Sequence, residues 1–442
     1  MFYIDDNTSR FWYLLFCMLT KKQDNLGVNM KIRDYVITSL VGIYIFCLPL
    51  ATASRLEWIL SLIFVLIGII YLVELILLKD YRVQFIITFK QVFSDTFTII
   101  FILFVIIMFI STLYSKEFII SVKELARYIY YIGIYFVIRF RINKEDMYEG
   151  IIKIYMLGAF IVAIFGIYEV IGYFKNGLNI DQIILNSRVK STFEHHNTYA
   201  AYLILAIFPS VLSALGSKGT KKIYYSLLSI LLSFNLAFTF SKNGWIAFAV
   251  GILILSILYS WKFISLYPIS ALLLLTNGEI RHRTMSILNS AYSDSRIKIW
   301  KIAESMIKEN MFLGVGSGNF RTMYAGYVKK FPELELNETL SLPPHNSYIR
   351  VFAEIGVFGS IVFLIMCFEM LKTIYYAREK CHGFIKYFYS GFLISTTCFL
   401  MMNCFDDLFY TPKVTAVYFI FVFIGHNIQN SSKELGKFKR HK

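Results

Sequence analysis

Apolar runs alternate with short polar connections along most of this chain. Runs of about 18 or more apolar residues are typical of helices that cross a bilayer, and about twelve such spans are predicted. The predicted spans are 35–54, 56–78, 95–114, 124–141, 150–174, 199–216, 222–240, 243–261, 263–276, 348–371, 384–403 and 412–428. So many unbroken runs cannot all lie inside a soluble core. The pattern therefore predicts an all-α, polytopic membrane protein.

The composition agrees with a membrane class. Of the 442 residues, 57% are apolar and 17% are charged, against about 45–50% and about 25% in soluble domains. The formal net charge of +15 would also suit nucleic-acid binding, but the lysines and arginines lie in short connections between apolar runs. Control of topology by cytoplasmic positive charge explains that placement. We therefore expect the lipid bilayer, and no nucleic acid, as a partner.

The positions of the basic residues predict an orientation. With a cytoplasmic N-terminus, the following residues fall in cytoplasmic connections or the tail: Lys79, Arg82, Lys90, Arg139, Arg141, Lys144, Lys218, Lys221, Lys222, Lys372, Arg378, Lys380, Lys386, Lys433, Lys437, Lys439, Arg440 and Lys442. The short outer connections instead pair their positive charges with glutamates. Both termini are therefore predicted to be cytoplasmic, and the long polar segments 175–198 and 277–346 to lie outside.

Five segments are predicted from this topology. They are a cytoplasmic or interfacial N-terminal segment (1–33), the first nine spans (34–276), an outer loop with catalytic elements (277–346), the last three spans (347–428) and a cytoplasmic basic tail (429–442). The outer loop exceeds the roughly 12–15 residues expected of a structureless connection. A helix is predicted in it from Arg296 to Asn310. The glycine-rich stretch 314–319 favours a turn over a phosphate-binding loop, because no strand precedes it.

His345 lies at the predicted start of a helix near a membrane face. Pro343 and Pro344 cannot continue a helix from upstream and favour extended backbone before them. Asn346 or Ser347 can then cap a new helix. The positive end of the helix dipole disfavours imidazolium, so His345 is expected to stay neutral and able to accept a proton. His345 is therefore the candidate general base.

Cations on the predicted outer face form the second part of the candidate site. Lys242 lies between two apolar runs with almost no loop around it, which suits a functional cation or a lysine that extends to water. Arg296 precedes Lys298 and also fits a solvated helix face. Four further outer cations each favour a surface role when taken singly: Arg188, Lys190, Arg281 and Arg283.

Two adjacent histidines precede the sixth span. His195, His196 and Asn197 favour a capping or interfacial role. Neighbouring histidines on a helix are expected to point in different directions, so a shared metal ion is not expected. The sequence predicts no metal and no cofactor. A neutral histidine with nearby cations suits an anionic, lipid-linked substrate such as a polyprenyl pyrophosphate, whose oxygens arginine can bind bidentately.

Three short motifs resemble the O-antigen ligase family, which includes related O-antigen polymerase-like proteins. They are Ser241-Lys242-Asn243-Gly244-Trp245, then Ser295-Arg296 with Trp300, then Pro344-His345-Asn346-Ser347-Tyr348 through Glu354-Ile355-Gly356 and Gly359. The resemblance is strongest over residues 190–365. It implies a metal-independent glycosyltransferase of the GT-C type that acts outside the cytoplasmic membrane on undecaprenyl-pyrophosphate-linked glycan.

The resemblance also assigns roles to residues. It implies that Arg296 contacts pyrophosphate and that His345 is the catalytic base. Lys242 stands where the family usually carries arginine, so the charge is kept but the bidentate fork is lost. The possible secondary site residues are His195, His196, Asn197, Arg281, Arg283, Asn346, Tyr348 and Glu354.

The leading functional hypothesis is transfer of a lipid-linked oligo- or polysaccharide onto a sugar acceptor at the outer face of the bacterial inner membrane. A ligase would use lipid A–core as the acceptor, whereas a polymerase would use a second lipid-linked repeat. A transporter for such lipids is the third possibility. It predicts charged or helix-breaking residues at mid-membrane in matching halves of the chain. Midspan positions are nearly free of charge and no internal repeat is evident, so the enzyme is favoured.

Overall fold

The computed structural model describes residues 26–52, 54–77, 95–265, 294–336 and 342–438, with a few positions between 78 and 94. Most of the predicted span 263–276 lies outside these residues, as do the apolar patch at 11–19, Arg281, Arg283 and the last residues of the basic tail. Within the described residues the chain folds entirely into α- and 3-10 helices with their connections. The all-α prediction is thereby confirmed.

Fourteen helices carry the described fold, and we number them in chain order. They are α1 (Leu26–Cys47), α2 (Ser54–Leu77), α3 (Thr96–Leu113), α4 (Phe118–Arg141), α5 (Glu145–Lys175), α6 (Ile180–Asn186), α7 (His196–Leu215), α8 (Gly219–Phe238), α9 (Lys242–Leu258), α10 (Asp294–Glu309), α11 (Phe320–Lys330), α12 (Ser347–Lys380), α13 (Gly383–Met402) and α14 (Pro412–Phe438). Short 3-10 turns follow α1, α9 and α11 and precede α14.

Every predicted span except 263–276 coincides with one of these helices. By length and apolar composition, six segments among the described residues can cross a membrane, and they lie in α1, α3, α5, α7, α12 and α13. Long apolar helices satisfy their own backbone hydrogen bonds, which is the requirement for crossing lipid. The polytopic membrane class is therefore confirmed.

The polar connections gather at two opposite ends of the bundle. At one end, the Glu117 N–H donates to Asn319 Oδ1 (3.0 Å) and the Thr192 hydroxyl donates to the Pro49 carbonyl (2.5 Å). At the other end, Arg141 pairs with Asp34 (3.0 Å). Residues 294–336 and 342–346 also lie at the first end, which corresponds to the predicted outer side.

The segment 294–336 builds a small apolar core of its own. Ile299, Ala303 and Met306 lie on one buried face of α10 and pack against Phe320 and Tyr324 of α11. The predicted helix from Arg296 to Asn310 thus corresponds to α10, and its predicted apolar face is the face that packs. This core fixes the position of α10 relative to the membrane helices.

Helix α12 is interrupted at Gly356, a feature that the hydrophobic pattern does not predict. Gly356 has φ 70° and ψ −171°, a region of backbone conformation that essentially only glycine adopts. The glycine-rich loop docks beside the break. There the Val315 N–H donates to the Ala353 carbonyl (2.8 Å) and the Gly316 N–H donates to the Glu354 carbonyl (2.9 Å). The loop is therefore bound to α12 through the main chain.

Candidate functional site

Three membrane helices begin at the end of the bundle that holds the outer segment. His195 caps α7 by accepting the Asn197 N–H at Nδ1 (3.2 Å), so the predicted capping role of this segment is present. Ser241 caps α9, and Asn346 caps α12 by accepting two backbone N–H groups. Helix N-termini carry partial positive charge and unsatisfied N–H groups, so they favour anions.

Side chains at these helix starts connect the helices directly. The Ser241 hydroxyl donates to Asn197 Oδ1 (2.7 Å), which joins the starts of α7 and α9. Asn243 donates to the carbonyl of Met402 (2.9 Å), which joins α9 to the end of α13. The starts of α7 and α9 therefore lie beside the loop that follows α13.

The start of α12 binds to that same loop. The Ser347 N–H donates to the Asn403 carbonyl (2.9 Å), and the Asn346 N–H donates to Asp407 Oδ1 (2.9 Å). The Asn346 side chain donates to the Cys404 carbonyl (2.8 Å). The three helix starts thus converge on residues 402–407.

The segments that lead into these three helices contain unusual backbone. Among the described residues, the non-glycine residues with positive φ are Ser191 (51°), Phe240 (47°) and His345 (48°). Each lies shortly before the start of α7, α9 or α12. Such conformations cost of order 1–3 kcal/mol and concentrate at functional sites. The strain here is confined to one end of the bundle.

His345 faces a carboxylate that the sequence did not single out. Its Nδ1 lies 3.5 Å from Asp406 Oδ1, slightly beyond a short hydrogen bond, and the ring is 36% exposed. The other carboxylate oxygen, Asp406 Oδ2, is buried and has no hydrogen-bond donor among the described residues. A carboxylate at Nδ1 leaves Nε2 as the nitrogen that can accept a proton. The pair therefore has the arrangement of a general base with an orienting acid.

His195 lies close enough to this pair to sense both charges. Burial lowers the pKa of His195, Asp406 raises it and His345 lowers it. The expectation that His195 and His196 point in different directions is wrong, because their ring centroids are 4.0 Å apart. His195 is the cap of α7 and has extended backbone, so helical spacing does not apply to it. Arg188 lies 3.0 Å from His196 Nε2.

Behind His345 lies a buried ionic cluster. Arg350 Nε lies 2.9 Å from Glu354 and Arg350 Nη1 lies 3.5 Å from Asp407. Burial raises the pKa of Asp407, while the charges of Arg350 and His345 lower it. Glu354 is fully buried, and it also accepts the Gly318 N–H (2.8 Å) and the Tyr410 hydroxyl (3.0 Å). Glu354, a predicted secondary site residue, therefore anchors the glycine-rich loop to α12.

Arg296 lies on the helix that contacts the backbone beside His345. Trp300 Nε1 donates to the Pro344 carbonyl (2.8 Å). Arg296 is four residues earlier on α10, hence on the same face and one turn nearer the helix start. The hydrogen bond of Trp300 thus holds α10, which carries Arg296, against the backbone next to His345.

Lys242 is the first residue of α9, next to its cap Ser241. A cation at a helix N-terminus opposes the helix dipole, so Lys242 does not stabilise α9 electrostatically. An anion bound at the helix start would relieve that repulsion.

Tyr348, another predicted secondary residue, donates its hydroxyl to the Leu400 carbonyl (2.8 Å) and so holds α12 against α13.

Sequence reasoning missed Asp406, Asp407 and Arg321. Arg321 is the second residue of α11, where desolvation and the charge of Arg350 lower its pKa and the charge of Asp407 raises it. The available signal was the pair of consecutive carboxylates in the short polar break between the last two spans. Nothing local in that break indicates which distant side chain the two carboxylates face.

Comparisons with known proteins agree with the motifs. Residues 227–364 match the family model described as O-antigen ligase, a range that includes Lys242, Arg296 and His345. A Rickettsia conorii protein named "Putative polysaccharide ligase" is 28% identical over 178 residues, which is 38% of this chain and 43% of that protein. The chain thus aligns with less than half of that relative's length. The predicted resemblance to the O-antigen ligase family is confirmed.

Proposed function

We propose that this protein is a membrane glycosyltransferase of the GT-C type. It transfers an oligo- or polysaccharide from undecaprenyl pyrophosphate to a sugar acceptor and releases undecaprenyl pyrophosphate. The leading acceptor is lipid A–core, as for an O-antigen ligase. The observation that carries the proposal is the pairing of His345 with Asp406 (3.5 Å) where the starts of α7, α9 and α12 converge.

In the proposed reaction, His345 acts as the general base. The acceptor hydroxyl oxygen attacks C1 of the donor sugar while its proton passes to Nε2 of His345. The bond between C1 and the pyrophosphate oxygen breaks, and the electron pair leaves with the pyrophosphate. Asp406 holds the ring through Nδ1 and stabilises the imidazolium that forms. Such proton transfer contributes typically about 10²–10⁴-fold to the rate.

Fixed positive charge would stabilise the departing pyrophosphate. Arg296 and Lys242 are the proposed contacts, assisted by N–H groups at the converging helix starts. Charge develops on the pyrophosphate as the glycosidic bond breaks, so cations held in place favour the transition state over the ground state. The proposed chemistry is metal-independent, as the family resemblance implies.

The proposed orientation places this site on the outer face of the bacterial inner membrane, with both termini cytoplasmic. Basic residues at the opposite end of the bundle support it. Arg139 and Arg141 end α4 there, and Lys221 and Lys222 begin α8 there. Cytoplasmic connections characteristically carry this excess of lysine and arginine.

Reconstitution of the purified protein in liposomes with lipid-linked glycan tests the proposal. We expect transfer to lipid A–core with the wild type, and a loss of about 10²-fold or more with His345→Ala. The variant must insert and elute from size exclusion as the wild type does. Transfer at near wild-type rates by His345→Ala would overturn the base assignment.

The acceptor is tested in the same liposomes. Lipid A–core and a second lipid-linked repeat are offered in separate reactions, and the product is sized by gel electrophoresis. A capped core supports a ligase. A lengthened lipid-linked chain would instead assign the protein as a polymerase, and lipid translocation without either product would assign a transporter.

A further inference from the structure

A polar pocket lies between the end of α5, helix α6 and the start of α7, and we call it the α5–α7 pocket. Its cavity volume is about 380 Å³. Its lining includes Tyr173, Arg188, Lys190, Glu194, His195 and His196. The proposed base His345 and the proposed pyrophosphate contacts Arg296 and Lys242 are not part of this lining. The pocket is therefore a separate place on the same outer end of the bundle.

The loop that carries the two cations of the pocket is held in place by α5. Glu169 Oε2 accepts the N–H groups of Lys190 (3.2 Å) and Ser191 (2.7 Å), and Glu169 Oε1 accepts the Tyr173 hydroxyl (2.5 Å). The Ser191 hydroxyl donates to the Val162 carbonyl (2.7 Å). These bonds hold Ser191 at its positive φ of 51°. The loop backbone therefore has a fixed position before any ligand binds, which lowers the entropy cost of binding.

Hydrogen bonds also fix which nitrogen of each histidine carries the proton. The Asn197 N–H donates to His195 Nδ1 (3.2 Å), so the proton of the neutral ring is on Nε2. Arginine is only a donor, so Arg188 Nη1, at 3.0 Å, donates to His196 Nε2, and the proton of that ring is on Nδ1. Each neutral ring thus keeps one N–H donor while its other nitrogen is already bonded.

The charge of the lining favours an anion. Arg188 and Lys190 are two cations, and Glu194 is the one carboxylate among the described lining residues. Glu169, which lies behind the loop, is already bound by the three donors given above. Phosphate and carboxylate groups present several oxygens to such donors, and arginine binds them with its planar fork. The pocket therefore has the chemistry of a site for a phosphate or a carboxylate.

The α5–α7 pocket lies beside the proposed base. His195 lines the pocket. Burial lowers the pKa of His195, and the charges of Asp406 and His345 also act on it. In the proposed reaction the acceptor hydroxyl must reach His345 while the pyrophosphate of the donor occupies a different place. A sugar whose acidic group is bound in this pocket would meet both conditions.

From these observations we infer that the α5–α7 pocket binds an acidic group, phosphate or carboxylate, of the acceptor sugar and so selects acidic acceptors. The inference rests on the proposed function for the role of the ligand as acceptor. The pocket residues precede the stretch 227–364 that matches the family model, so that match assigns them no role. The donor pyrophosphate and lipid headgroups share this anionic chemistry, and the experiment separates them from the acceptor.

Binding of a soluble acceptor fragment tests the pocket without glycan transfer. The full-length protein in phosphatidylcholine nanodiscs is titrated by microscale thermophoresis with the core oligosaccharide released from lipid A–core. The same oligosaccharide is also used after removal of its phosphates, after reduction of its carboxylates and after both treatments. We expect the untreated form to bind at least tenfold more tightly than the doubly treated form. The single treatment that causes the loss identifies the acidic group, and equal affinities of all forms would overturn the inference.

Competition distinguishes the other sources of an anion. Excess undecaprenyl pyrophosphate should leave the oligosaccharide bound, and nanodiscs of phosphatidylglycerol should give the same affinity as those of phosphatidylcholine. Displacement by undecaprenyl pyrophosphate would assign the pocket to the donor. A much weaker affinity in phosphatidylglycerol would assign it to a lipid headgroup. Either result would overturn the inference.

Charge-removing variants locate the site. Lys190→Gln and Arg188→Gln should each weaken binding of the untreated oligosaccharide about tenfold, the effect of one hydrogen bond to a charged group. Neither should change binding of the doubly treated form. Lys329→Gln, which removes an exposed cation of α11 outside the pocket, is the matched control and should bind as the wild type does.

Lys190→Gln decides the test if Arg188→Gln fails to fold, because Arg188 also donates to the Ile184 carbonyl (2.8 Å) and so supports α6, whereas the Lys190 side chain is exposed. Unchanged binding in Lys190→Gln, or an equal loss for the untreated and the doubly treated oligosaccharide, would contradict the proposed pocket.

The outcomes separate this inference from the proposed function. His345→Ala should bind the oligosaccharide as the wild type does, because binding does not depend on the base. Glycan transfer that is equally fast to untreated and doubly treated acceptors would reject the pocket alone. Binding that depends on Lys190 in a wild type that transfers no glycan would reject the proposed function and leave a site for acidic sugars.

Discussion

Asp406 presents one oxygen to His345 and keeps the other buried. Oδ1 lies 3.5 Å from His345 Nδ1, while Oδ2 has no donor among the described residues. Asp406 can therefore orient the His345 ring and also places a negative charge beside it. The sequence alone shows only a histidine at a helix start, without this carboxylate.

We predict that Asp406→Asn lowers kcat about 10- to 100-fold with little change in KM for the lipid-linked donor. The amide keeps the size of the side chain but cannot stabilise imidazolium. Steady-state kinetics in liposomes measure both constants. Glu333→Gln, an exposed carboxylate of the outer segment, is the matched control. An unchanged kcat in Asp406→Asn would remove Asp406 from the mechanism.

Arg296 is predicted to bind the pyrophosphate of the donor. Arg296→Ala should lower kcat/KM for the donor by about tenfold or more, with a fall in kcat as well as weaker donor binding, and Arg296→Lys should lower it by less, because lysine keeps the charge but loses the fork. Lys308→Ala, an exposed cation on the same helix that is ion-paired with Glu304, controls for general loss of positive charge. Equal losses in the two Arg296 variants would argue against a simple charge role.

Gly356 is predicted to tolerate no side chain. A Cβ there would lie 2.1 Å from the Phe312 carbonyl oxygen, and the backbone has φ 70°. Gly356→Ala should lower the free energy of unfolding by about 3 kcal/mol or more, or prevent accumulation of the folded protein. Gly133→Ala in α4, where no atom lies within 4 Å of the added carbon, should be neutral or stabilising. Thermal unfolding in detergent compares the two variants. If Gly356→Ala were as stable as Gly133→Ala, the close contact between the Phe312 carbonyl and α12 at Gly356 would be wrong.

The lowered pKa of His195 predicts a pH dependence of stability. Burial is the main cause, so the folded protein binds a proton less readily than the unfolded chain, whose histidine has a pKa near 6.5. Stability should therefore fall as the pH drops below about 6.5 and level off below the folded pKa. His195→Asn retains a capping side chain and should flatten this dependence. Melting temperatures of both proteins between pH 7.5 and 5 provide the measurement, and parallel curves would exclude His195 as the source.

The helices were predictable because each depends on local pattern. Apolar length marks the membrane helices, and the spacing of Ile299, Ala303 and Met306 marks α10. The two prolines before His345 place the cap of α12 at Asn346 or Ser347, and the structure shows that it is Asn346. These signals lie within one helix or one turn. Tertiary context adds little to them.

The parts that sequence did not predict depend on contacts between distant positions. Asp406 meets His345 across a whole pair of membrane helices, and no local feature of either residue indicates the other. The break at Gly356 is hidden because glycine is frequent in membrane helices. The contact between the rings of His195 and His196 differs from the prediction because His195 is the N-cap of α7 and has extended backbone, so the angle between successive residues of a helix does not apply to this pair.

The attachment of the glycine-rich loop to α12 relies on peptide groups at 315, 316, 353 and 354 and on the Glu354 carboxylate, which accepts the Gly318 N–H. Peptide groups are the same whichever amino acid supplies them, so the bonds between main-chain groups do not depend on the identity of the Val315 side chain. If the proposed glycosyltransferase function holds, exposed residues around this loop could change while the proposed base His345 and the proposed cations keep their spacing. A different glycan preference would then need only replacement of exposed residues, without a change in the helices.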